Sequence, residues 1–232
     1  MDNSKTLREQ NRTLNDAERA RGELMIRSLP LVAKIEVTTR CNLACIMCAK
    51  SYGATAQEDL SLEMFAKLEP LFPTLLSAYL YGVGEPLLHP EIMTMFDRLR
   101  VAGVNVGLIT NGQLLDQTRV ERFVAGDLYK CSVSVDGATA ATYERIRRGG
   151  SFTRLMDNLR CVRDTKAQHK VTRPFITLNF VQMKSTIAEL PALIDIAAEV
   201  AAHEVILNDL LVFDPSMKDE NLDFAESALP RI

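Results

Sequence analysis

The chain has 232 residues, 47% hydrophobic and 25% charged, with 27 Lys and Arg against 30 Asp and Glu. That apolar content excludes a disordered chain, which buries too little surface to offset its ordering entropy. The net charge of −3 and pI of about 5.7 supply no global attraction to polyanions, so nucleic-acid or membrane-surface binding would need a local basic patch. Arg145, Arg147 and Arg148 form the only dense basic cluster. The polar start, Met1 to Lys5, leads into no apolar h-region, and no apolar run approaches the roughly 20 residues of a membrane span. The expectation is a cytoplasmic protein with no nucleic-acid and no membrane partner. In that reducing compartment, clustered cysteines point to metal or catalysis rather than disulfides.

Residues 5–28 predict a polar helix with sparse apolar positions at Leu7, Leu14, Leu24 and Met25. It forms an N-terminal helical extension, residues 1–30, covering one end of the core. From residue 31 the pattern alternates. Strands are predicted at 31–38, 77–82, 104–109, 130–135, 175–183 and 203–211, and helices at 61–71, 90–102, 116–125, 151–168 and 186–201. Ser61, Asp116 and Ser185 are positioned to cap helices, and Pro90 and Pro191 suit first turns. The helical stripe Met93, Met95, Phe96 and Leu99 reads as a packing face. Strands separated by helices imply right-handed crossovers and a parallel sheet. The α/β core over 31–232 is one domain, either an open doubly wound sheet or an incomplete (β/α)6 TIM-type barrel.

Polar residues collect where strands end: Thr38-Thr39-Arg40, Gly82-Val83-Gly84-Glu85, Thr110-Asn111-Gly112, Ser134-Val135-Asp136-Gly137 and Asn208-Asp209. Parallel α/β folds bind ligands at that carboxyl end. By alternation Lys34, Glu36 and Thr38 share one face, as do Ser132, Ser134 and Asp136, and polar faces on buried strands need partners or a ligand. Asn179 and Asn208 read as further groups of such a cavity.

The run Cys41-Asn42-Leu43-Ala44-Cys45-Ile46-Met47-Cys48 follows the first strand. Three thiolates within eight residues select zinc, copper(I) or iron–sulfur. Structural zinc takes four ligands, and no fourth lies nearby. Cubane clusters take four cysteines when fully ligated, so three leave one iron open. Cys131 and Cys161 read as small buried hydrophobes, His89 as a turn residue, and His169 and His203 as surface or strand-start residues.

This C-x3-C-x2-C loop, with Gly82-Val83-Gly84-Glu85-Pro86 after the second strand, resembles the radical S-adenosylmethionine (SAM) enzymes over about residues 31–211. Thr110-Asn111-Gly112, Ser134 to Gly137 and Tyr143 to Arg147 support the likeness. It is most similar to the branch that usually carries SPASM or twitch extensions. The resemblance implies a partial barrel in which Cys41, Cys45 and Cys48 hold a catalytic [4Fe-4S] cluster whose open iron chelates SAM. It implies Met47 near the adenine, Gly84 and Glu85 at the SAM amino group, Ser134 on the ribose side with Asp136 beside it, and Arg147 at the methionyl carboxylate. Leu207 would lie where the last strand contacts adenine through its backbone, and Asn179 would line the cofactor or substrate cavity. The implied partners are a small-molecule or peptide substrate and an electron donor such as flavodoxin or ferredoxin. No cysteine follows Cys161, so the expectation is single-cluster chemistry such as elimination, epimerisation, decarboxylation or rearrangement. A silent cluster-binding or SAM-binding partner subunit and a zinc-binding regulator are the competing readings.

Overall fold

In the computed structural model, which describes residues 3–53 and 56–222, six parallel strands form one sheet. They are β1 (Val32–Glu36), β2 (Ser77–Tyr81), β3 (Asn105–Thr110), β4 (Lys130–Ser134), β5 (Phe175–Gln182) and β6 (Glu204–Asp209). Each pairs with its predecessor in sequence, in the order β1-β2-β3-β4-β5-β6. A doubly wound sheet reverses its strand order at a switch point; this sheet never does. It is the arc of an incomplete (β/α)6 barrel, with β1 and β6 as its edge strands among the described residues.

The helices are α1 (Asn3–Ala20), α2 (Leu62–Ala66), α3 (Ile92–Val101), α4 (Gln117–Ala125), α5 (Ala140–Ile146), α6 (Phe152–His169) and α7 (Leu190–Glu199). Ser61 and Asp116 cap α2 and α4, accepting from the backbone N–H of Met64 and Arg119, as their positions predict. Ser185 does not cap. Glu189 precedes α7, and Pro191 occupies its first turn. The helix predicted over 61–71 stops at Ala66 and gives way to a 3-10 turn, Glu69–Leu71, containing Pro70, which disfavours helical backbone in the residue before it. The extension helix ends at Ala20 rather than 28. Gly22 adopts a φ of +65°, and the amides of Gly22 and Glu23 donate to the carbonyls of Arg19 and Glu18, closing a Schellman motif. Leu24 and Met25, expected on that helix, are 97% and 87% exposed.

Between sheet and helices, Leu80, Leu108, Val133, Leu178 and Phe180 pack against Phe65, Met95, Phe96, Leu99, Phe123, Leu159 and Leu193 in one continuous core. Each such side chain contributes roughly 1.5–3 kcal/mol through burial. The opposite sheet face is polar. Ser132 registers with Thr177, Thr177 with Glu204, and Ser134 with Asn179. At the amino-terminal strand ends, Glu204 pairs with Lys130 and accepts from Thr177 Oγ1 at 2.7 Å. At that same end Arg8 on α1 donates to the carbonyls of Phe72 and Ala102. A second cluster, Ile146, Met183, Leu210 and Met217, packs against Ile46 and Met47. It folds the segment after β6 back to the cysteine loop, where Lys184 N–H donates to the Glu220 carbonyl. Among the described residues no helix is long and apolar enough to cross a membrane.

Candidate active site

The loop after β1 is pinned from three sides. The amides of Ala44 and Ile46 donate to the carbonyls of Arg148 and Ile146 at 2.9 Å each, tying it to the end of α5. Ser51 Oγ donates to the Cys45 carbonyl at 2.7 Å, and Lys50 Nζ donates to that of Thr39 at 2.5 Å. On the β2 side, Glu85 N–H donates to the Arg40 carbonyl at 2.7 Å. The Gly82–Glu85 segment is itself held by Glu36, whose carboxylate accepts from Val83 N–H at 2.7 Å.

Cys41, Cys45, Met47, Cys48, Gly84, Glu85, Ser134 and Arg147 line one cavity of about 180 Å³, together with Thr110, Asn111 and Lys50. The fold thus gathers eight of the eleven candidate residues, drawn from the ends of β1, β2 and β4 and from α5. Asp136 stands behind them, its carboxylate 2.5 Å from Arg147 Nη2 and accepting from Val181 N–H at 2.7 Å. Asn179 registers with Ser134 and Leu207, 41% exposed, lies on β6; neither lines the cavity. Thr110 and Asn111, to which the sequence assigned no role, do. Their signal was a polar Thr-Asn-Gly run at a strand's carboxyl end.

Glu85 is 2% exposed. It accepts from Thr110 Oγ1 at 2.7 Å, Leu87 N–H at 3.1 Å and Asn111 N–H at 2.7 Å. Burial raises its pKa, and those three donors oppose the rise. Burial also pushes the Cys45 thiol up to about 11, with the Arg147 charge opposing it, and raises Cys41. Burial lowers the Arg147 pKa, but the charge and hydrogen bond of Asp136, together with smaller contributions from Cys45 and Tyr143, raise it overall. Arg147 Nε is nevertheless buried without a hydrogen-bond partner.

These features test what the cysteines suit. Thiolates are the metal-binding form, and desolvated neighbouring thiols lose their protons only to a strongly cationic group. Thiolates on one zinc, with Zn–S of about 2.3 Å, lie within about 4 Å of each other. Among the described residues no three Cys, His, Asp or Glu side chains are arranged to hold a single ion. Three cysteines lining one cavity supply the soft sulfur donors that an iron–sulfur cluster takes. Cys131 is buried as expected, its thiol pushed up to about 12. Cys161 is instead half-buried, its S–H donating to Gln117 Oε1 at 3.0 Å. His89 shapes its turn, contacting the Leu60 carbonyl through Nε2 and accepting from Glu91 N–H through Nδ1.

A sequential parallel arc with a three-cysteine loop at its carboxyl end defines a partial-barrel domain with three cysteines lining one cavity. The model of the radical SAM superfamily matches residues 35–188, and the chain belongs to that superfamily. It is 27% identical over 193 residues to the tungsten-containing aldehyde ferredoxin oxidoreductase cofactor-modifying protein of Pyrococcus furiosus, covering 80% of this chain and 53% of that protein. It is 31% identical over 150 residues to the mycofactocin maturase MftC of Mycobacterium ulcerans, covering 62% of this chain and 41% of the relative. Streptococcus suis SuiB bound to S-adenosylmethionine superposes with a TM-score of 0.70 at 15% identity, over 92% of this chain and 47% of SuiB. SuiB bound to precursor peptide SuiA gives 0.69 at 16% identity, over 91% and 46%. At those identities the structural likeness carries the fold alone. The chain spans about half the length of the curated relatives it matches.

Proposed function

We propose that the chain carries out radical SAM catalysis, with Cys41, Cys45 and Cys48 holding a [4Fe-4S] cluster and SAM binding beside it. The observation carrying this reading is the gathering of all three cysteines, Gly84, Glu85, Ser134 and Arg147 around one cavity. When bound, the cluster supplies one electron for reductive cleavage of SAM, giving methionine and a 5′-deoxyadenosyl radical that takes a hydrogen atom from the substrate. The chain's own residues bind and orient. Gly84 and Glu85 receive the SAM amino group, Ser134 contacts the ribose, and Met47 and the β6 backbone near Leu207 flank the adenine. Arg147, held by Asp136, offers its unpartnered Nε–H and its charge to the carboxylate. Asn179, which registers with Ser134, would meet cofactor or substrate beyond that cavity.

The substrate is a small metabolite or a peptide, entering where β1 and β6 leave the barrel open. The peptide bound to SuiB and the cofactor-modifying role of the Pyrococcus relative support these two classes. A one-electron donor such as flavodoxin or ferredoxin completes the system. The test is anaerobic reconstitution with iron and sulfide, reduction with SAM present, and chromatography for 5′-deoxyadenosine. Wild type is expected to bind about four irons per chain, as one such cluster holds, and to release the nucleoside. Cys45→Ala is expected to lose both. Equimolar zinc without iron, or a full cluster with no 5′-deoxyadenosine, would overturn the proposal.

A further inference from the structure

Asn111, 5% exposed, follows β3 and faces the cysteine loop. Its amide orientation is fixed, because Gln113 N–H donates to Oδ1 at 3.0 Å, which turns the NH2 end toward the loop. There Nδ2 donates to Asn42 Oδ1 at 2.9 Å and reaches Cys41 Sγ at 4.0 Å. An amide nitrogen carries two hydrogens, so the two contacts coexist. The backbone is equally constrained, with Asn111 N–H and Thr110 Oγ1 donating to the two oxygens of Glu85. Cys41 also receives Leu43 N–H at 3.5 Å, and Cys45 receives Arg147 Nη1 at 3.8 Å. Among the described residues no side-chain donor reaches Cys48.

Resting on the reading above, we infer that Asn111 is a positioning residue that sets the potential of the cluster through an N–H donor on the Cys41 sulfur. Hydrogen bonds to cluster sulfurs, and to the groups that hold the ligands, are general levers on iron–sulfur potentials. The sign follows from charge: reduction adds an electron, a donor at the thiolate stabilises the more negative state, and losing that donor lowers the potential. Asn111 also ties Glu85 to Cys41, so the group meeting SAM and the ligand holding iron share one rigid turn.

The readout is a redox titration of reconstituted protein without SAM, followed by electron paramagnetic resonance, with iron counted in every sample. Asn111→Leu is expected to keep wild-type iron and to lower the reduced-to-oxidised ratio at a fixed potential about tenfold, equivalent to about 59 mV for one electron. Asn111→Asp keeps an acceptor for Gln113 but places an oxygen opposite Cys41, and is expected to lower the ratio further. Asn42→Ala removes the other acceptor of Nδ2 and is expected to change the ratio less than twofold. Wild-type ratios in both Asn111 variants would overturn the inference. So would an equal drop in Asn42→Ala, which would place the effect in the loop rather than at sulfur. If both Asn111 variants lose iron that wild type retains, the residue is only a clamp and the inference fails. If wild type itself takes up no iron, the functional reading fails first and takes this inference with it.

Discussion

A methyl group at Gly84 would run into the carbonyl oxygens of Thr38 and Arg40. Those atoms belong to the backbone entering the cysteine loop, where Glu85 N–H already holds the Arg40 carbonyl. Neither side can yield by rotating a side chain, so Gly84→Ala is expected to cost roughly 1–3 kcal/mol, in the range of overpacking. Urea unfolding should show a lower midpoint with an unchanged slope; an unchanged midpoint would mean that the two loops separate without cost. At this scale the site was readable where its residues are close in sequence. The three cysteines and the Gly84-Glu85 pair announce themselves by spacing. Asn111 does not, because its role depends on meeting Asn42 and Cys41 across some 70 residues. Arg147 was visible as a basic residue. Its pairing with Asp136 was not, since that meeting depends on α5, a two-turn helix whose apolar face is little more than Tyr143 and Ile146.

Individual elements followed their local chemistry. All six strands lie where the sequence predicts them, β3 running one residue further, to Thr110, and the carboxyl ends of the others trimmed by one or two residues where the ladder stops early. Thr38 shows this, leaving the strand to donate to Asp59 Oδ1 at 2.6 Å. What propensity could not reveal was the surface each element meets. The inward positions of α1 are Asn11 and Glu18, which hold Leu29 and the amides of Arg27 and Ser28 by polar bonds. The Lys130–Glu204–Thr177 group joins β4, β5 and β6 in a similar way. Hydrogen bonds from Lys130 and then Thr177 lower the Glu204 pKa. A depressed carboxylate contributes stability above its unfolded pKa, about 4.3, and that stability is lost as pH falls through the lower folded value. Glu204 is about half exposed, so the effect is small. Glu204→Gln is expected to cost about 0.5–1 kcal/mol at pH 7. The gap in melting temperature should close below pH 4; a gap constant with pH would place its origin in packing instead.

For the whole molecule, the sequential strand order carries the alternation of the sequence into three dimensions without a crossing; the partial barrel was expected from the family resemblance, while alternation alone made legible only a parallel α/β sheet. The curvature of that sheet was not legible, because alternation looks the same in flat and curved sheets. The small Met217 cluster was equally hidden: it joins Ile46 and Met47 to a segment near the far end of the described chain. Met217→Ala is expected to forfeit roughly 2–5 kcal/mol of burial locally, since this cluster is separate from the main core. Limited proteolysis should then cut within residues 211–222 at least tenfold faster, as local opening allows, while the main unfolding transition moves little. An equal loss in that transition would show that the segment belongs to the main core.

The same topology sets a timetable for assembly. The cysteines leave the ribosome early, but the turn bearing Asn111, the α5 end that grips Ala44 and Ile46, and Met217 all arrive later. Met217 follows Cys48 by roughly 170 residues, about 10 to 30 s of synthesis at ~5–20 residues per second. During that interval the thiols stand in an unfinished pocket without their later donors and cover. A metal group arriving before Met217 is made would meet three loose cysteines, and one arriving afterwards a shaped cavity.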